Sequence, residues 1–213
     1  MTTKIKEIIS DDKTNFVNLK EIIPNIIVEL RYFTDYNFIG KKVSGYENNI
    51  AYVTKECAQA LKEVEEEVKK KDYTIKIYDA YRPNMATKHF LRWSKEKEDV
   101  KTKEIFYKDI DKKELFEKGY ISKKSSHSRG STVDLTLYSQ ITKEDIDTGG
   151  GFDNFGPIAH FKYGGITHKQ KLNRKYLREV MVKHGFIPLE NEWWHFTLKN
   201  EPYPNTYFNF KIK

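Results

Sequence analysis

The chain has 213 residues, 38% of them hydrophobic and 32% charged, with a formal net charge of +7 at pH 7. That balance supplies enough apolar residues for a sizeable core and excludes intrinsic disorder, while no apolar run approaches the roughly 20 residues of a membrane helix. A single cysteine, Cys57, excludes an intrachain disulfide and a multi-cysteine metal site.

Met1-Thr2-Thr3-Lys4-Ile5-Lys6-Glu7 has neither the apolar stretch nor the small-residue cleavage site of a secretory leader, so cytoplasmic residence is expected. Thr54 can cap a helix that carries Ala58, Ala60, Leu61, Val64 and Val68 near one side. Lys69, Lys70 and Lys71 follow Glu65, Glu66 and Glu67, and Lys112 and Lys113 lie beside Asp109, Asp111 and Glu114. Such mixed runs are solvated helix faces rather than a phosphate track, so nucleic acid is not expected as a partner, nor is a membrane.

Tyr73, Ile75 and Ile77 alternate with Thr74, Lys76 and Tyr78, which predicts a half-buried strand leading into Asp79-Ala80-Tyr81-Arg82-Pro83. Asn84 can begin the next helix, with Phe90 and Trp93 on its apolar face. Residues 95–120 are strongly charged and read as a loop with a short helix near 112–118. Thr132 through Tyr138 alternate as a strand with Val133, Leu135 and Leu137 on one side and Asp134 on the other. Gly149, Gly150 and Gly151 either bend a loop around a ligand or make a turn. Leu172, Tyr176, Leu177, Val180 and Met181 mark a helix stopped at Gly185, and a last strand or hairpin carries Trp193 through Leu198. No repeat, low-complexity tract or linker interrupts the pattern, so one interleaved domain over residues 1–213 is expected, with no signal for an oligomeric state.

Two segments carry chemistry: Ser125-Ser126-His127-Ser128-Arg129-Gly130-Ser131-Thr132-Val133-Asp134, and Glu192-Trp193-Trp194-His195. A turn at Gly130 can bring His127 near Asp134, and His195 can join them from another strand. Two imidazoles and one carboxylate suit a catalytic zinc, which commonly keeps three protein ligands and an open position for water. Glu192 could serve that water as its base, or be an exposed carboxylate beside a core histidine. In a regular strand Glu192 and His195 would face opposite ways, so convergence requires a bend between them. Arg82 could stabilise an oxyanion, or pair with Asp79. The other histidines, His89, His160, His168 and His184, have no comparable setting, and Trp193 and Trp194 read as core or pocket wall.

These residues resemble the zinc-dependent D-alanyl-D-alanine dipeptidases, the VanX-type enzymes of vancomycin resistance. The resemblance runs through Gly45-Tyr46, Asp79 to Pro83, Ser125 to Tyr138, Phe152-Asp153, Glu192 to His195, and Glu201 to Phe208. It implies an α+β fold, the hedgehog-like fold of zinc D,D-peptidases, with a central antiparallel sheet and flanking helices. It also implies one catalytic Zn²⁺ held by His127, Asp134 and His195, with Glu192 as general base and acid and Arg82 stabilising the tetrahedral intermediate. By the same resemblance Asp153 would hold the ammonium of a small dipeptide, Ser125 and Tyr46 its carboxylate, and Tyr32, itself a candidate core aromatic, would line the pocket. The implied activity is hydrolysis of D-alanyl-D-alanine to two D-alanines, in a resistance setting or in cell-wall precursor metabolism. A broader peptidase acting on D-dipeptides or peptidoglycan fragments, and a noncatalytic zinc-stabilised binding module, are the alternatives. The triglycine before Phe152 departs from the family pattern and bears on the loop that carries Asp153.

Overall fold

Thr54 sits in extended conformation and its hydroxyl accepts from the Cys57 N–H at 3.4 Å, starting the helix that its position in the sequence predicts. The structure, a computed structural model, describes residues 7–97 and 100–213, the side chains of 100 and 101 excepted. Residues 1–6, read above as lacking a leader, lie outside the described residues, as do 98 and 99 of the charged middle segment. Among the described residues no helix is long and apolar enough to cross a membrane.

The strands are β1 (Ile8–Ser10), β2 (Phe16–Asn18), β3 (Ile27–Val28), β4 (Tyr52–Thr54), β5 (Tyr73–Asp79), β6 (Thr132–Ser139), β7 (Phe186–Leu189), β8 (Glu192–Leu198) and β9 (Thr206–Phe208). The helices are α1 (Leu19–Ile22), α2 (Lys55–Val68), α3 (Asn84–Trp93), α4 (Val100–Phe106), α5 (Glu114–Glu117) and α6 (His168–Lys183). Asn84 is the first residue of α3 rather than its cap. Pro83 holds the cap position in extended conformation, and its carbonyl accepts the first helical bond, from Ala86 N–H at 2.8 Å.

The main sheet has the order β3-β5-β6-β8-β7. Its β5, β6, β8 and β7 are antiparallel neighbours, but β3 pairs parallel with β5, so the sheet is mixed and not the purely antiparallel one expected. The reason is the connection: β3 returns to β5 through a long crossover that contains β4 and α2, and a crossover of that length allows a parallel return where a hairpin would not. Leu61, Val64 and Val68 of α2 are buried, as are Ile75, Ile77, Val133, Leu135 and Leu137 of the sheet. Burying each such side chain contributes about 1.5–3 kcal/mol. Glu65 ties α2 to the sheet, its carboxylate accepting from the Thr74 hydroxyl at 2.7 Å and the Ile75 N–H at 2.8 Å.

Two breaks in register shape the inner face. Ile77 pairs with Leu135, yet Asp79 pairs with Asp134 rather than Val133, so one extra residue bulges in β5 near Tyr78. That slip moves Asp79 from the face of Ile77 to the face of Asp134. In the β7–β8 hairpin Pro188 pairs with Phe196 but Leu189 pairs with Glu192, leaving Trp193, Trp194 and His195 between two adjacent partners. This is the bend that convergence of Glu192 and His195 requires.

Gly130 turns the chain from the 3-10 helix Ser126–Arg129 into β6 with φ of 84°. A Cβ there would meet the Phe16 ring at 2.3 Å, and that ring is wedged edge-on against Tyr81, Phe208 and Phe210. Left-handed backbone and overpacking together give Gly130→Ala an expected loss of about 2–5 kcal/mol. Urea unfolding is the check; a midpoint within error of wild type would show that Phe16 yields freely.

Candidate active site

Ser125 caps the 3-10 helix Ser126–Arg129, its hydroxyl accepting from the His127 N–H at 3.3 Å, and so fixes where His127 points. Asp134 and His195 are cross-strand partners on β6 and β8 and share the inner face. Their tips meet His127: Nε2 of His127 lies 3.2 Å from Asp134 Oδ2 and 3.3 Å from His195 Nδ1, and His195 Nδ1 lies 3.0 Å from Asp134 Oδ1. The other nitrogen of His127, Nδ1, faces the Ala80 carbonyl at 2.8 Å. A carbonyl only accepts, so Nδ1 carries the proton and Nε2 presents a lone pair to the cluster. His195 Nε2 is 3.4 Å from the Ser126 hydroxyl.

These three side chains fit a metal ion. Asp134 Oδ1 is buried and, despite its 3.0 Å approach to His195, has no aligned hydrogen-bond donor. Two imidazoles and one carboxylate, a donor set that suits a zinc ion, thus converge here. The two imidazole nitrogens are 3.3 Å apart, near the roughly 3.3–3.4 Å edge of a tetrahedron with bonds of about 2.0–2.1 Å, and each approaches a different oxygen of Asp134. Among the described residues, His127, Asp134 and His195 form the one group of three or more such side chains whose ligand atoms all lie within 4.8 Å of one another.

The flanking groups are also buried. Glu192 Oε2 reaches within 3.5 Å of His195 Nδ1, and burial together with the negative charges of Asp134 and Asp153 pushes its carboxyl well above the usual range. Burial pulls His195 below the usual imidazole value. Arg82 lies over the faces of Tyr32 and Phe90, its Nε donating to Asp79 Oδ2 at 2.8 Å while Nη2 faces Asp134 Oδ2 at 3.5 Å. The ion pair with Asp79 that the sequence offers for Arg82 is thus present, and the same guanidinium also faces the cluster. Asp153 accepts from the Tyr32 hydroxyl at 2.8 Å, and burial, then the charge of Asp134, pushes its carboxyl up to about 8.

A cavity of about 340 Å³ is lined by Tyr32, Arg82, Ser125, His127, Asp134, Asp153, Glu192 and His195 together with Phe38, Phe90 and Tyr120. Tyr46 is the sequence-derived site residue outside that lining: it is buried and its hydroxyl donates to Asp79 Oδ1 at 2.6 Å. Trp193 and Trp194 are buried behind the site, Trp194 edge-on to Phe152. The remaining histidines stay apart. His89 accepts from Ser44 N–H, His160 meets the Tyr120 hydroxyl, and His184 meets Glu67, while His168 begins α6.

Two residues carry more of the site than their sequence context suggests. Asp79 anchors both Arg82 and Tyr46, and the bulge that turns it inward leaves no mark in the alternation of β5. Arg174, in the middle of α6, is 1% exposed and donates to three backbone carbonyls of the Asp153 loop. Burial pulls its guanidinium down to about 10, which leaves it charged at neutral pH. The triglycine is a held turn: Gly149 has φ of 79°, a Cβ there would meet Ile166 at 2.6 Å, and its N–H donates to Asp147 at 3.0 Å.

A family profile described as D-ala-D-ala dipeptidase matches residues 12–213 of the chain. The D-alanyl-D-alanine dipeptidase of Enterococcus faecalis is 42% identical over 200 residues, covering 94% of this chain and 99% of that protein. Those of Enterococcus faecium and Streptomyces coelicolor are each 41% identical over 198 residues, covering 93% of this chain and 98% of theirs.

Replacing one imidazole separates metal holding from packing. His127→Ala is expected to lower affinity for a divalent ion about 100-fold or more, read by competition with a chromogenic chelator; unchanged tight binding would remove His127 from the cluster. Asp79→Ala strips a buried charge partner from Arg82 and is expected to cost about 3 kcal/mol in urea unfolding. A negligible change would mean that Asp134 alone satisfies the guanidinium.

Proposed function

Because this chain belongs to the D-ala-D-ala dipeptidase family, we propose that it hydrolyses D-alanyl-D-alanine to two molecules of D-alanine with one bound zinc ion. The observation that carries this reading is the convergence of His127 Nε2, His195 Nδ1 and Asp134 on one point beside Glu192, inside a cavity sized for a small peptide. His127, Asp134 and His195 would hold the ion, and only three protein ligands favour an open catalytic position over a structural site. When bound there, zinc acidifies a water and polarises a carbonyl.

The chain's own groups do the rest. Glu192 takes the proton of the attacking water at its carboxylate and returns it to the amide nitrogen, so that a C–O bond forms as the C–N bond breaks and the amine leaves neutral. The elevated proton affinity of this buried carboxyl suits both directions of transfer. Arg82, held by Asp79 on one edge and lying over Tyr32 and Phe90, presents its free edge to the oxygen on which charge grows. Asp153 receives the substrate ammonium, which restores the ionised form that burial disfavours, and the Tyr32 hydroxyl keeps its second oxygen oriented. Ser125 lines the same cavity and would offer its hydroxyl to the terminal carboxylate, whereas Tyr46, outside the lining, fixes Asp79.

A pocket with paired sites for both termini would favour free dipeptides, since a longer chain would leave one buried group unpaired. The 213 residues act as one dipeptidase domain, which the continuous hydrophobic core supports. Cytoplasmic residence fits a chain whose single cysteine leaves no disulfide to form.

The zinc-loaded protein is expected to release D-alanine from D-Ala-D-Ala and not to cleave L-Ala-L-Ala. Glu192→Ala should keep the metal and lose about 10²–10⁴-fold in kcat. No release from folded, metal-loaded protein would sink the activity, and near-normal turnover by the variant would remove Glu192 from proton transfer.

A further inference from the structure

Asp153 stands on a backbone that few residues adopt. Its φ is 57°, in the left-handed region, and it has no glycine's freedom to be there. Such a conformation persists only where its surroundings over-determine it. Phe152 supplies part of that constraint by stacking on Tyr78 with ring centroids 5.0 Å apart, and Tyr32 supplies another part through its hydroxyl.

The ends of the loop are held from elsewhere. Arg174 Nε donates to the Thr148 carbonyl at 2.7 Å, before Asp153, while Nη1 donates to His160 at 2.8 Å and Nη2 to Ile158 at 2.9 Å, both after it. One planar guanidinium therefore closes the two stems of the segment 148–160 on itself. Its neighbours on the same helix face extend the grip: Asn173 Nδ2 donates to the Asp147 carbonyl at 2.7 Å and Gln170 Nε2 to the Asp147 carboxylate at 3.0 Å. Among the described residues Arg174 has no carboxylate partner. Its Cζ lies 5.7 Å from the centre of the Trp193 ring, which links the loop stems to the bulge between Glu192 and His195. A buried cation satisfied by carbonyls and an aromatic ring is an uncommon choice for a core position, and the fork geometry is what makes it useful.

Resting on the reading of Asp153 as the ammonium site, we infer that Arg174 is a positioning residue for substrate-amine recognition, acting through the loop stems to hold Asp153 in register with Glu192 and His195. It touches neither the substrate nor the metal ligands. Lysine at this position keeps a charge but cannot bridge three carbonyls from one plane, so the loop loses its closure while the helix remains.

The test compares wild type, Arg174→Lys, Asp153→Ala and the double variant on D-Ala-D-Ala and on N-propionyl-D-alanine, its analogue without the amino group. Arg174→Lys should raise KM for the dipeptide about tenfold or more with a smaller fall in kcat, as a displacement near 1 Å can cost about 100-fold. Its effect on the analogue should be slight, and the double variant should be no worse than Asp153→Ala alone, because both substitutions remove one function. Equal loss on both substrates, or additive losses in the double variant, would overturn the inference in favour of a general structural role. Hydrogen exchange of segment 148–160 provides a readout independent of turnover: it should rise in Arg174→Lys while α2 and β5 stay protected. Unchanged exchange there would refute the brace even if the enzyme reading stood. A wild type that cleaves the dipeptide yet shows no preference for the free amine would refute the Asp153 reading on which the inference rests.

Discussion

Four carboxylates share the interior of this site, and the structure is organised around tolerating them. Asp79, Asp134, Asp153 and Glu192 are 0%, 2%, 4% and 8% exposed, so none is solvated enough to ignore the others. Arg82 contacts two of them and is the one fixed cation among the lining groups that does so. Its single charge cannot balance four, and burial together with the unbalanced negative charge of the neighbours raises the proton affinities of Asp153 and Glu192. A divalent ion at the His127, Asp134 and His195 tips is the remaining source of positive charge that the geometry provides for. A cation there would also lower the cost of ionising Asp153, whose carboxyl feels the negative charge of Asp134.

That arrangement depends on two local failures of regular sheet geometry. In an unbroken ladder Asp79 would sit opposite Val133, on the apolar face, and Arg82 would have no partner beside the cluster. In an unbroken hairpin Glu192 would point away from His195. Each bulge flips one side chain onto the inner face while leaving the flanking apolar pairs, Ile77 with Leu135 and Val133 with Phe196, in place. The core is thus kept at its full burial and the polar site is built at its margin, where irregular pairing costs least.

This also explains which parts of the molecule the sequence disclosed. Period and capping located α2, β5, β6 and α6, with Thr54, Gly185 and the alternation of Val133, Leu135 and Leu137 as direct signals, although β5 and β6 are buried on both faces rather than one. The pairing of His127 with Asp134 was legible because both lie in one short segment hinged at a glycine. The parallel edge strand β3 was not, since two residues carry no period and their partner is chosen by a distant crossover. Asp79 was legible as a partner for Arg82, but its orientation was not, because a bulge inverts the face that alternation assigns. Arg174 escaped because an arginine among Lys171, Lys175 and Arg178 reads as one more solvated charge until its carbonyl partners are known.

The triglycine joins these threads. Three glycines in a row read as slack, but the left-handed turn at Gly149 is pinned by Asp147 on one side and crowded by Ile166 and Gln170 on the other. Gln170 is itself engaged at the start of α6, where it and Thr167 form a reciprocal cap. The cap of α6, the glycine turn and the Arg174 carbonyl bonds therefore adjoin one another at the stems of the loop that carries Asp153. Glycine is needed here for close approach and backbone sign, not for motion. Variation in this tract consequently acts on the site through the angle at which Asp153 is presented. The loop that carries Asp153 is then held at its stems by helix α6, while Asp134 and His195 are placed by the sheet.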